Sequence, residues 1–112
     1  MATITIIVAA LNIGCAVLVG ALAVPLIQRR IKMNHLYGVR FRKSFESDEL
    51  WYELNEYGGR QLLTWSIILG LIGFASLFLP LQESETLAIL LACAPVILGI
   101  PCYTTYRYSK TL

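Results

Sequence analysis

Charge is absent from long stretches of this chain. No Asp, Glu, Lys or Arg occurs in Ile4–Ile27, Leu62–Leu81 or Thr86–Tyr106. Over the whole sequence, charged residues make up 14%, against roughly 25% in soluble domains. A water-soluble core is therefore not the expected architecture. Cysteine is scarce and its number odd: Cys15, Cys93 and Cys102 all lie in apolar runs, without metal-like spacing, and read as small packing residues. His35 is the single histidine and has no second ligand nearby, whereas zinc takes three or four protein ligands; no metal or cofactor is expected. There is no acid pair in an apolar run, no Ser/His/Asp set and no phosphate-cradling glycine loop, so no enzyme chemistry is expected. The lack of ionisable residues in the runs also disfavours a proton-coupled transporter. The basic loop is too short and too mixed in charge to argue for nucleic acid. No Lys or Arg precedes the first run, although a cleaved signal peptide has a basic start, so a retained span is expected there.

What the chain does have is length in those runs. Each holds about 20 residues or more, enough to cross a hydrocarbon core about 30 Å thick as a helix. Lipid cannot satisfy backbone N–H and C=O groups, so a helix is the form expected. The sequence predicts a single all-α integral membrane domain over residues 1–112. It has three transmembrane helices at about 4–27, 62–81 and 86–106, and a cytoplasmic loop, 28–60, carrying a short interfacial helix. Orientation follows from the cations. Arg29, Arg30, Lys32, Arg40, Arg42, Lys43 and Arg60 lie between the first two runs, and Arg107 and Lys110 in the tail; together these are all nine Lys and Arg residues. The positive-inside rule then places loop 28–60 and the C-terminus in the cytoplasm and the N-terminus outside, in a multi-pass cell-membrane protein. Trp65, Tyr103, Tyr106 and Tyr108 fall near span ends, where such rings favour the headgroup level.

The loop has a readable order. Arg29, Arg30 and Lys32 follow the first span directly and are candidates to hold anionic lipid headgroups, alongside their topological role. In "NHLYGVR", Asn34 can organise a turn and Gly38 permits backbone angles other residues resist. "SDELWYELNEYGG" reads as a short helix: Ser47 as N-cap, Asp48 and Glu49 facing the helix dipole, and Gly58–Gly59 as a stop or hinge. Leu50, Leu54 and Tyr57 share one face, with Trp51 beside it. This segment either lies on the inner leaflet or extends the second span with a bend at the glycines. Within the spans, Asn12 reads first as a packing residue and alternatively as a donor that bonds across to another helix, and Gly14, Gly20, Gly70 and Gly73 allow close helix approach. Pro95 and Pro101 are expected to kink the third helix.

Asn34, Gly38-Val39-Arg40, Ser47-Asp48-Glu49, Trp51, Asn55 and Gly59, taken as one spaced set over about 26 residues of the loop, resemble the signature of the SdpI/YfhL family of small bacterial membrane proteins. The family pattern often has Thr and then Pro after the Arg, where this chain has Phe41 and Arg42; the local turn there is expected to differ. The resemblance implies a role in immunity to a secreted, membrane-active peptide toxin, with accompanying signalling at the inner face. It makes Asn34, Gly38, Arg40, Ser47, Asp48, Trp51, Asn55 and Gly59 candidate binding or motif residues. Arg40 is foremost, as a partner for Asp48, Glu49 or an acidic group on a ligand. Trp51 is either a partner anchor or a bilayer anchor. The expected partners are membrane lipid, a peptide toxin, and a membrane or cytoplasmic protein. Two other readings compete: an accessory subunit of a larger membrane complex, and a holin-like pore former.

Overall fold

The computed structural model describes residues 3–112. It is an all-α, up-down-up arrangement. Helix α1 spans Thr3–Ile27, α2 spans Asp48–Ser76, and a third rod is built from α3, Glu85–Ala92, and α4, Gly99–Ser109. The molecule is a rod, 52 × 23 × 19 Å. Helix α2 supplies most of the long dimension, its 29 residues rising about 43 Å at 1.5 Å each.

The largest departure from expectation lies in α2. It is one continuous helix with no break at Gly58–Gly59. The two glycines are instead where other elements come closest. A Cβ on Gly59 would stand 2.9 Å from Ile27 Cγ1 and 3.0 Å from the Ala23 carbonyl oxygen; one on Gly58 would stand 2.5 Å from Val39 Cγ2 and 3.2 Å from Thr105 Cγ2. They are spacers at a helix crossing. The helical signal on both sides carries through them because packing offsets the cost of about 1 kcal/mol for each glycine in a helix. Farther along the same seam, Gly20 lies against Ser66, Gly70 against Ala16, and Gly73 against Asn12 and Ile13, whereas Gly14 has no neighbour within 4 Å of its Cβ position.

Helix α2 also ends earlier than the apolar run does, at Ser76 rather than Leu81. Pro80 is the reason: it has no N–H to donate to Ser76 and biases Leu79 away from helical angles. Leu77–Leu79 turn back onto Phe74, Ala75 and Ser76. Two segments, Thr3–Ile27 and Glu85–Ser109, are long and apolar enough to cross a membrane, by length and composition. The middle helix is not among them. Its first half carries Asp48, Glu49, Glu53, Glu56 and Arg60, which leaves a shorter apolar stretch before Ser76.

The third rod breaks where Pro95 predicts. Ala94–Leu98 is a 3-10 stretch between α3 and α4, whereas Pro101 lies in the first turn of α4 and does not interrupt it. Pro95 cannot donate to the Leu91 carbonyl. Asn12, fully buried on α1, donates its Nδ2 there at 2.9 Å. A polar side chain in an apolar helix thus satisfies a backbone acceptor freed by a proline on another helix. Ser47 and Ser84 cap α2 and α3, accepting from Leu50 N at 3.1 Å and Leu87 N at 3.2 Å.

Candidate functional site

The first ten residues of α2 extend past the end of α1, and the loop from Gln28 to Ser47 folds against them. Asn34 starts this loop: its Oδ1 accepts from Leu36 N at 2.9 Å and Tyr37 N at 2.7 Å, and its Nδ2 donates to Lys32 O at 2.7 Å. The turn delivers Gly38 with φ +122°. There the backbone passes over Trp51 and Asn55 of α2. Trp51 is completely buried, and its Nε1 donates to Ile31 O at 2.8 Å. Asn55, 1% exposed, works as a clamp. Its Oδ1 accepts from Val39 N at 2.6 Å, while its Nδ2 donates to Trp51 O at 2.8 Å and reaches Val39 O at 3.4 Å. A 3-10 turn, Arg42–Phe45, completes the loop, with buried Ser44 accepting from Phe41 N at 3.1 Å. Phe45 stands between His35, stacked at 5.3 Å, and Trp51 at 5.6 Å.

Most of the motif therefore converges on one knot. Asn34, Gly38, Trp51 and Asn55 hold the loop onto α2, Ser47 starts that helix, and Gly59 lets α1 approach it. Asp48 is exposed in the first turn of α2. Trp51 faces neither lipid nor solvent, so its ring anchors the loop rather than the bilayer. Arg40 stands apart from the knot. It is exposed and pairs with neither Asp48 nor Glu49, because the 3-10 turn separates them. It donates to the backbone carbonyl of His35, and among the described residues no carboxylate lies within 4 Å of it.

The charged residues beside α1 sort differently from expectation. Arg29 closes α1 with φ 58°, a left-handed conformation that usually falls to glycine at helix ends. Its guanidinium turns to α2, with Nη2 2.7 Å and Nε 3.0 Å from Glu56 Oε2 and Nη2 3.6 Å from Glu53. It is thus engaged within the protein, whereas Arg30 and Lys32 are exposed with no carboxylate partner among the described residues. Sequence reading did not single out Glu56, which lies 27 positions from Arg29 and also binds Arg60 at 3.2 Å. Nor did it single out Tyr37, whose hydroxyl donates to Leu22 O on α1 and whose own ionisation is pushed up by burial. The Asx-turn pattern after Asn34 was a usable local signal for Tyr37; no local signal exists for Glu56.

Hydrogen bonds from Arg29 first and Arg60 second hold the Glu56 carboxyl below its usual value of 4.5. A depressed acid contributes stability above its unfolded value and loses it as pH falls through the folded value. The unfolding midpoint in micelles is therefore expected to fall on acidification below about pH 4.5, with a shallower acid limb in Glu56→Gln. Superimposable acid limbs would show that the pair contributes nothing. At neutral pH the effect is expected to be small, because the pair is solvent-accessible.

Next to the knot a cleft of about 450 Å³ opens between α1, α2 and α4. Its walls are apolar: Val19, Leu22, Ala23 and Leu26 of α1, Leu62 of α2, and Pro101 and Cys102 of α4. Tyr37–Phe41 form one end, which places Arg40 on the lining. The cleft is thus an apolar chamber whose rim carries a cation with no carboxylate partner among the described residues.

A family model described as the SdpI/YfhL protein family matches residues 30–103, more than half of the chain and the whole of the loop motif. No curated protein and no solved structure gives a match.

Proposed function

The chain belongs to the SdpI/YfhL protein family, and from that membership we propose that it is a membrane protein of the immunity and signalling type, which takes an apolar, membrane-active peptide into the cleft between α1 and α4. In this reading all three rods cross the bilayer, with loop 28–47 and the C-terminus at the cytoplasmic face. The outward faces support it: Val17 is 66% exposed, Leu71 64%, Phe74 58% and Val96 78%. Side chains of this kind on all three rods form an apolar surface larger than water tolerates. The second half of α2 shares it.

The single observation that carries the binding reading is the cleft itself. Its volume lies within the range of ligand sites, roughly 300–1,000 Å³. Its apolar walls suit hydrophobic side chains, and its rim is the Gly38–Arg40 segment that the rest of the motif holds in place. On this account the knot is the scaffold and Arg40 the contact.

The test is survival. The chain is expressed in a sensitive bacterial host, which is challenged with a membrane-active peptide toxin, with Arg40→Ala compared at equal membrane abundance. Protection by the intact chain that falls at least about tenfold in the variant is the expected result, the scale for losing a hydrogen bond to a charged group. Absence of protection from correctly inserted protein sinks the peptide reading. A protein co-purifying in stoichiometric amount in mild detergent would then favour an accessory subunit in its place.

A further inference from the structure

We infer that the same cleft is a phospholipid site selective for an anionic headgroup, with one acyl chain between α1 and α4 and the phosphate on Arg40. This goes beyond the peptide reading and stands without it.

Three observations meet here. First, the chamber is apolar along its length. Its lining on α1 runs from Val19 to Leu26, about 10 Å of helix axis at 1.5 Å per residue. A single leaflet offers about 15 Å of hydrocarbon, so the cleft takes most of one chain lying along the helix. Second, the charge is at the end where a headgroup lies. Arg40 lines the cleft, is exposed and has no carboxylate partner among the described residues. Its guanidinium uses one nitrogen on the His35 carbonyl, which fixes the side chain and leaves the other donors of the fork for a phosphate oxygen. Third, the neighbouring charges agree in sign. Arg42 is exposed and likewise without a carboxylate partner, whereas the cations nearer the acids are engaged: Arg29 with Glu56, Lys43 with Glu46, Arg60 with Glu56. Asp48 and Glu49 are exposed and in no ion pair among the described residues, as are Arg30 and Lys32, but the one ionisable side chain on the cleft lining besides Tyr37 and Cys102 is the cation Arg40, with Arg42 two residues on.

A zwitterionic lipid has the same acyl chain and a phosphate, but its choline cation opposes that positive charge. The site should therefore discriminate by headgroup and not by tail. Peptide and lipid would compete for one space, so lipid occupancy would set the level at which a peptide is held.

The experiment is native mass spectrometry of the full chain in detergent, titrated with equal amounts of dioleoyl phosphatidylglycerol and dioleoyl phosphatidylcholine. The intact protein is expected to carry one bound lipid and to prefer phosphatidylglycerol about fivefold, the order for one cation at an anionic surface. Arg40→Gln, at an exposed position that leaves the knot intact, should bring the two lipids to parity. Arg30→Gln, which removes an exposed cation outside the cleft, should leave the preference unchanged. Cys102→Trp and, separately, Val19→Trp fill the chamber from opposite walls, and each should lower binding of both lipids. Equal binding of the two lipids by the intact chain overturns the inference. So does a loss of preference in Arg30→Gln as large as in Arg40→Gln, which would mean general attraction to a basic surface. Unchanged binding in both tryptophan variants overturns it as well. None of these outcomes bears on the survival test, so either reading can fail alone.

Discussion

Trp51→Ala is expected to lower the stability of the fold by about 4 kcal/mol, the scale for truncating a buried aromatic to alanine, measured as the shift of the unfolding midpoint in detergent micelles. The ring is completely buried and meets three parts of the loop: Ile31 through its Nε1, Phe45 in a tilted ring pair, and Gly38, where an added Cβ would stand 3.1 Å from the ring. Removing it leaves a cavity under the loop and an acceptor on Ile31 without a donor. Trp51→Phe separates the two effects. It keeps most of the apolar area and loses only the hydrogen bond, so it should cost about 1–2 kcal/mol. Limited proteolysis should report the same order, with cleavage in loop 28–47 fastest in the alanine variant. An unchanged midpoint for Trp51→Ala would show that the ring does not anchor the loop. The consequence for function is direct: lost protection in Trp51→Ala would report a loosened loop, whereas lost protection in Arg40→Ala would report a lost contact.

Much of this architecture is written locally. The three uncharged runs mark the three rods, Ser47 and Ser84 mark two helix starts, and Pro95 marks the break in the third rod, because each signal acts within a turn of itself. Asn12 reads locally as a packing residue or as an interhelical donor, and that it donates to the carbonyl freed by Pro95 depends on how two helices meet. The misleading residues are those whose role depends on a distant neighbour. Gly58–Gly59 looks the same in sequence whether it stops a helix or lets another approach, and only Ala23, Ile27 and Thr105 decide between the two. Arg29 reads as a headgroup cation until α2 brings Glu56 beside it. Arg40 reads as a partner for Asp48 until a 3-10 turn intervenes. Pro80, by contrast, is a local stop inside the second run, and it ends α2 before the run's hydrophobicity does. The resemblance located the motif, but its members proved to divide their labour: most hold the loop, and Arg40 is left facing outward.

Gly38→Ala is expected to cost about 3 kcal/mol, for two reasons that act together. The residue has φ +122°, where an L side chain is strained by about 1–3 kcal/mol. In addition its Cβ would stand 2.6 Å from Asn55 Oδ1 and 3.1 Å from the Trp51 ring. The Asn55 oxygen cannot yield freely, because it accepts from Val39 N, and moving it leaves a part-buried N–H unpaired, at the low end of about 1–3 kcal/mol. Gly14→Ala is the control. With nothing within 4 Å of its Cβ position, it should be neutral or gain up to about 1 kcal/mol from helix propensity. The two causes at Gly38 can be separated by a double-mutant cycle with Asn55→Ala. If the methyl acts mainly by displacing Asn55, the double variant should cost clearly less than the sum of the singles; strict additivity would leave backbone strain as the whole effect. Either result bears on Arg40, two residues on, because the Asn55 clamp on Val39 is what fixes the backbone that carries it. A Gly38→Ala protein that remains folded should therefore also lose the headgroup preference of the cleft, with Arg40 still present in the sequence but no longer held at its rim.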